Sequence, residues 1–111
     1  MAKPVDVVVV GGGIAGCLAA VAAAERGRSV TVVEKRAYLG REVSAYNHTF
    51  VGCAADDAAF RQCPEPFQRL FRLHGGGEIV APEGMTRQSL LAILEERGIP
   101  VLFEAEPVAA T

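Results

Sequence analysis

Three glycines and one carboxylate are the residues of this chain whose types and spacing could do chemistry. Gly11, Gly13 and Gly16 form the pattern G-x-G-x-x-G, and Glu34 follows about twenty residues further on. Each has a physical task in holding a pyrophosphate. Gly11 permits a tight turn, Gly13 has no side chain to keep a phosphate from the backbone, and Gly16 lets a helix lie close to a strand. The N–H groups of the turn, those of Ile14 and Ala15 included, and the positive end of a following helix would face the negative charge. No acidic residue stands in the first helical turns to repel it. The Glu34 carboxylate can accept hydrogen bonds from ribose hydroxyls and disfavours an additional 2′-phosphate, a preference that the adjacent Lys35 and Arg36 moderate. Read this way, Gly11, Gly13, Ile14, Ala15, Gly16, Glu34, Lys35 and Arg36 are candidate dinucleotide-binding residues. The plain alternative is a strand-to-helix turn beside a solvated strand end, and the surrounding elements decide against it.

Those elements read as a parallel sheet. Val5 to Val10 is β-branched and almost continuously apolar, which suits a parallel strand covered on both faces. Cys17 to Arg26, rich in alanine, reads as a helix closed by Gly27. Ser29 to Val33 is a second strand that ends at Glu34, completing a βαβ unit of about thirty residues. A second helix is expected from an N-cap at Thr86, with Met85 and Leu90 as its hydrophobic staple, to about Arg97 and a stop at Gly98. Ile99 to Phe103 supplies the third strand, where Pro100 is tolerable only near the start or at an edge. Between these lies an insertion, about residues 37–82, of mixed turns and short helical pieces broken at Gly75-Gly76-Gly77. It carries Phe50, Val51, Phe60, Phe67, Leu70, Phe71 and Leu73 for packing. The fold class is therefore α/β, a partial Rossmann-like βαβαβ parallel sheet with an inserted irregular or helical segment. Right-handed crossovers give the spatial order third, second, first and put both helices on one face. The other face is left bare, with the valine-rich first strand at an edge.

Composition bounds the remaining choices. With 111 residues and 50% hydrophobic content the chain has material for one core and no second domain. A net charge of -2 with mixed signs offers no basic stripe for nucleic acid. Cys17, Cys53 and Cys63 cannot all pair within one chain, and none lies in C-x-x-C, so free thiols in the cytoplasm are the simplest reading. The uncharged run from Val7 to Ala24 is about long enough to span a bilayer. Its glycines, Gly11, Gly12, Gly13 and Gly16, would each cost a helix about 1 kcal/mol, so a strand and turn explain it better. Asp6 and the same glycines argue against a secretory signal.

Other constellations carry less. His74-Gly75-Gly76-Gly77 is similar to the oxyanion-hole tetrapeptide of some esterases, but no G-x-S-x-G elbow accompanies it. The separations of His48, Cys53, Cys63 and His74 fit none of the usual zinc spacings, so no metal is expected. Cys17, beside the glycine turn, reads as a small packing residue, and Asp56, Asp57 and Arg61 as a solvated helix face. No catalytic acid or base can be assigned.

The run Val-Asp-Val-Val-Val-Val-Gly-Gly-Gly-Ile-Ala-Gly, the alanine-rich helix and Val-Thr-Val-Val-Glu-Lys-Arg resemble the N-terminus of FAD-dependent oxidoreductases of the glutathione-reductase-like superfamily. Ala37-Tyr38-Leu39-Gly40-Arg41-Glu42 is similar to the segment after the second strand in one branch, with Arg41 standing where the common pattern has a second glycine. The resemblance implies FAD as cofactor and makes Arg41 a candidate contact to phosphate or flavin. It also implies an enzyme component that holds the ADP half of FAD. The family's later Gly-Asp segment and substrate domain are not in this chain, so a larger protein subunit is expected to complete the FAD domain and to bring the small-molecule substrate. On the residues alone, an NAD-binding subunit of a dehydrogenase and a non-catalytic assembly module remain open.

Overall fold

The computed structural model describes residues 4–41, 50–53, 61–74, 78–80 and 87–109. Three strands, β1 (Val7–Val10), β2 (Val30–Glu34) and, later in the chain, β6 (Val101–Phe103), form one parallel sheet in the order β1-β2-β6. That is the order expected for right-handed crossovers. Val7 pairs with Val30 and Val10 with Val33, while Val33 stands beside Leu102. Pro100 lies just before β6, where it has no N–H to lose from the ladder, and its carbonyl accepts the N–H of Val32 at 3.0 Å.

Helix α1 (Ile14–Glu25) starts three residues earlier than its alanine run suggests, because the glycine turn itself leads into it. It ends as Gly27 adopts φ +81°, with the Gly27 N–H on the Ala24 carbonyl and the Arg28 N–H on Ala23. The insertion holds helix α2 (Glu65–Leu70), and Arg87–Glu96 forms helix α3. Helix α3 closes as α1 does: Gly98 is at φ +67°, and the Ile99 N–H reaches the Leu94 carbonyl at 3.0 Å. Leu94 and Ile99, both buried, supply the apolar contact that accompanies such a cap.

One core results. Cys17, Ala20 and Val21 of α1, Leu90 and Leu94 of α3, and Phe67 and Phe71 at α2 pack with Val30 and Val32 of β2. Val7, Val9, Val101 and Phe103 border the same cluster, so both long helices cover one face of the sheet. On the other face Val8, Val10 and Leu102 are 55%, 62% and 52% exposed. The bare face inferred from topology is thus present, and β1 forms the sheet's edge.

The insertion differs from expectation in one respect. Besides α2 it contains an antiparallel sheet of β3 (Phe50–Cys53), β4 (Arg72–His74) and β5 (Glu78–Val80), in the order β3-β5-β4. Strands of three and four residues, one of them shifting register between Phe50 and Gly52, are too short to show alternation in a sequence. Met85 and Thr86, with Phe60, Asp56, Asp57, His48 and Gly75 to Gly77, lie outside the described residues. No helix among the described residues is long and apolar enough to cross a membrane.

The closeness of α1 to the sheet sets up a test of sign. A Cβ at Gly16 would overlap the Gly11 carbonyl and reach Val9 Cγ1 at 3.4 Å. Glycine to alanine inside a helix ordinarily stabilises by about 0.5–1 kcal/mol. For Gly16→Ala we expect the opposite, a loss of about 1–3 kcal/mol from overpacking. Urea denaturation reads this directly, and an unchanged or raised midpoint would show that the turn can retreat.

Candidate dinucleotide site

The carboxyl edge of a parallel sheet is where an α/β fold places ligands, and here it gathers the residues singled out by spacing. Val10 ends β1, and Gly11 then takes φ +102°, a conformation closed to most side chains. Its N–H bonds to the Val33 carbonyl at 2.8 Å, which holds the start of the turn against β2. Gly13 is the N-cap of α1 at φ -71° and ψ -175°, extended backbone that any residue can adopt. The backbone conformation at 13 does not itself require glycine. The first turn of α1 carries no acidic residue, leaving the positive end of its dipole unopposed.

Glu34 ends β2 on the helix-covered face and is only 4% exposed. Its Oε1 accepts the Gly12 N–H at 2.9 Å and its Oε2 the Arg36 N–H at 2.6 Å. The Arg36 guanidinium stands 3.9 Å from Oε2. Burial by itself raises the carboxyl's pKa. The N–H bonds from Arg36 and Gly12, with the charges of Arg36 and Lys35, outweigh it and hold Glu34 below the usual range. A carboxylate has about four acceptor positions, so two N–H donors leave capacity for ribose hydroxyls.

A cleft of about 480 Å³ opens at this edge, lined by Val10, Gly11, Val33, Glu34, Lys35, Arg36, Ala105, Glu106 and Pro107. The far wall was not legible as a site in the sequence. It exists because Glu104 turns the chain at φ +53°, uncommon for a glutamate, while its N–H bonds to the Arg36 carbonyl and that of Ala105 to Glu34. The one available signal was the rule that ligands gather beyond strand ends, which Ala105 to Pro107 satisfy after β6.

Of the nine candidate residues, the structure brings Gly11, Glu34, Lys35 and Arg36 into the cleft wall. Gly13, Ile14, Ala15 and Gly16 form the adjoining helix start. The Ile14 side chain is in the core and Gly16 abuts the Gly11 carbonyl, so these two have only backbone to offer a ligand. Arg41 is exposed and is not among the residues that line the cleft. The described part of the molecule holds no grouping of three potential metal-ligating side chains.

Comparison with known proteins adds to this geometry. Residues 6–111 match the model of a family described as FAD dependent oxidoreductase. A curated relative, the FAD-dependent oxidoreductase oblC of Cochliobolus heterostrophus, is 58% identical over 41 residues, which are 37% of this chain and 8% of that protein. Among solved structures, THI4 of Thermovibrio ammonificans superposes with a TM-score of 0.63 at 22% identity, over 89% of this chain and 38% of that one. The 3-ketosteroid-delta4-(5alpha)-dehydrogenase of Rhodococcus jostii gives 0.57 at 15% identity, over 90% and 38%. At such identities the structures speak for the fold alone. The chain spans much less than half the length of each of these proteins.

The Glu34 geometry makes stability depend on pH with a definite sign. A carboxylate whose folded pKa lies below its unfolded value, about 4.3 for glutamate, contributes its full stabilisation above that value. It loses the contribution as pH falls through the folded pKa. We expect wild type to exceed Glu34→Gln in unfolding free energy at neutral pH and the gap to close below about pH 4. Denaturant titrations across that range check it, and a gap independent of pH would exclude the ionised carboxylate as its source.

Proposed function

We propose, from the premise that this chain belongs to the family of FAD dependent oxidoreductases and that its cofactor is FAD, that it holds the ADP half of that cofactor. The observation that carries the reading is the meeting, at one sheet edge, of the Gly11–Gly13 turn, the bare N-terminus of α1 and the buried Glu34 carboxylate. In this reading the backbone at Gly13 and the α1 dipole hold the pyrophosphate, and Glu34 the ribose hydroxyls. Lys35, Arg36 and the segment Ala105 to Pro107 enclose the rest of the adenosine. Arg41, next to Gly40, whose N–H bonds to the Gly12 carbonyl, is retained as a candidate contact nearer the flavin. Bound FAD supplies the redox chemistry. This chain's residues orient and retain it, and none of them is assigned as an acid or base.

The family decides for FAD over NAD, which the glycine pattern alone left open. We further propose that a larger polypeptide completes the domain and brings the flavin-proximal and substrate regions, so that the chain acts as a small subunit or portion of an oxidoreductase. Two observations support this. The chain corresponds to 38% of each superposed structure, and Val8, Val10 and Leu102 leave one face of its sheet to solvent with β1 at the edge. An interface over that face would be apolar and of the obligate size class, above about 2,000 Å². Cys17 and Cys63, neither of them in a disulfide, fit a reducing compartment, and we place the protein in the cytoplasm.

Two experiments test the reading. Gly13→Val, whose branched side chain the backbone at 13 tolerates, is expected to abolish retention of FAD while far-UV circular dichroism stays that of the wild type; flavin bands surviving in the purified variant would refute the assignment. Size-exclusion chromatography of the chain expressed alone tests the partner. Aggregation relieved by coexpression of a second subunit is the expected result, and a well-dispersed monomer that binds FAD tightly would remove the need for one.

A further inference from the structure

Gly12, the middle residue of Gly11-Gly12-Gly13, has no task in the G-x-G-x-x-G pattern, yet every side of it is engaged. Its N–H is held by Glu34 Oε1 at 2.9 Å. Its carbonyl accepts the Gly40 N–H at 2.8 Å and faces the Cys17 thiol, which donates to it at 3.6 Å. Over its α-carbon lies Leu39, only 1% exposed, whose Cδ2 fills the place a Cβ would need. The next atom such a Cβ would meet is Cβ of Glu34, at 3.4 Å.

We propose that Leu39 and Gly40 are positioning residues that clasp the phosphate-binding turn from outside by closing over Gly12. The proposal rests on the reading of the turn as an FAD site and assigns to it two buried residues that do not line the cleft. The physical argument is one of degrees of freedom. Gly11 and Gly13 flank Gly12, and a run of three glycines is the least constrained backbone a chain can have. A turn that must present its backbone to a pyrophosphate needs that freedom removed beforehand, or binding must supply the ordering. The Glu34 carboxylate holds one side of the Gly12 peptide, and the Gly40 amide, turned inward at φ +66°, holds the other. Leu39 then fills the space beside the Gly12 α-carbon on the side of the post-β2 segment. The tightness at 12 is a matter of space and not of backbone strain, since Gly12 is not among the glycines at positive φ. A complementary exchange of size across the contact is therefore conformationally permitted.

That exchange is the test. Thermal midpoints, and dissociation constants for FAD from flavin fluorescence well below those midpoints, are compared for wild type, Gly12→Ala, Leu39→Ala and the double variant, each in the form in which the wild type is well dispersed, alone or coexpressed with the subunit that completes its domain. Gly12→Ala is expected to weaken FAD about tenfold, the scale of a modest overpacking penalty. Leu39→Ala, which frees the turn, weakens it as well. The double variant, in which the new methyl enters the vacated space, recovers most of the affinity and midpoint that Gly12→Ala loses. Should Gly12→Ala not fold, return of a cooperative thermal transition in the double variant reads the same rescue. A double variant no better than Gly12→Ala overturns the clasp, as does Gly12→Ala with wild-type properties. Midpoints that move while FAD affinity stays fixed overturn the positioning role and leave a packing contact. A wild-type protein that binds no FAD ends the functional reading, and coupled midpoints in that case would show the clasp standing without its ligand.

Discussion

The Gly11 carbonyl lies against the α-carbon of Gly16, at a separation no side chain at 16 could share. Much of what this chain can do depends on that approach. It brings the first turn of α1 down onto the end of β1, so that the helix N-terminus and the strand C-terminus meet at one place. The helix dipole is then directed at the sheet's carboxyl edge instead of at solvent beside it. The same approach lets Cys17 reach the Gly12 carbonyl and seats Ala20 and Val21 against Val30 and Val32, so the site's geometry and the core share one contact.

Glu34 is the second element of the arrangement and has to satisfy two demands. A buried carboxylate left unpaired would be strongly destabilising, and the N–H groups of Gly12 and Arg36 supply what it needs. Because those bonds use only part of its acceptor capacity, the group that secures the turn can also address a ribose. Lys35 and Arg36 contribute positive charge to the cleft wall, and the Arg36 guanidinium stands 3.9 Å from Oε2. The edge is thus electrically mixed, positive at the helix start and negative at Glu34.

The sheet, by contrast, is covered on one face only. Helices α1 and α3 share a core with its inner residues, while Val8, Val10 and Leu102 face outward in adjacent registers. Among the described strands β1 is an edge of this sheet, and its outward valines are left to solvent.

The sequence by itself determined the parallel βαβαβ order, the placement of the glycine turn between β1 and α1, and the position of Glu34 at the end of β2. These follow from local rules: β-branched runs, glycine stops at Gly27 and Gly98, and spacing along the chain act over a few residues and can be read without contacts. It also indicated the bare face, because crossover handedness is a general property of L-residue chains. Only the tertiary structure decided that Gly12 is the most enclosed of the three consecutive glycines. Nor could spacing tell that Glu34 faces inward to hold it, that Ala105 to Pro107 wall the cleft, or that the insertion contains an antiparallel sheet. Each of these depends on residues brought together from distant parts of the chain, Leu39 over Gly12, Glu34 beside Ala105 and Phe50 beside Val80. Such contacts are set by how whole elements pack, and no window of local sequence contains both partners.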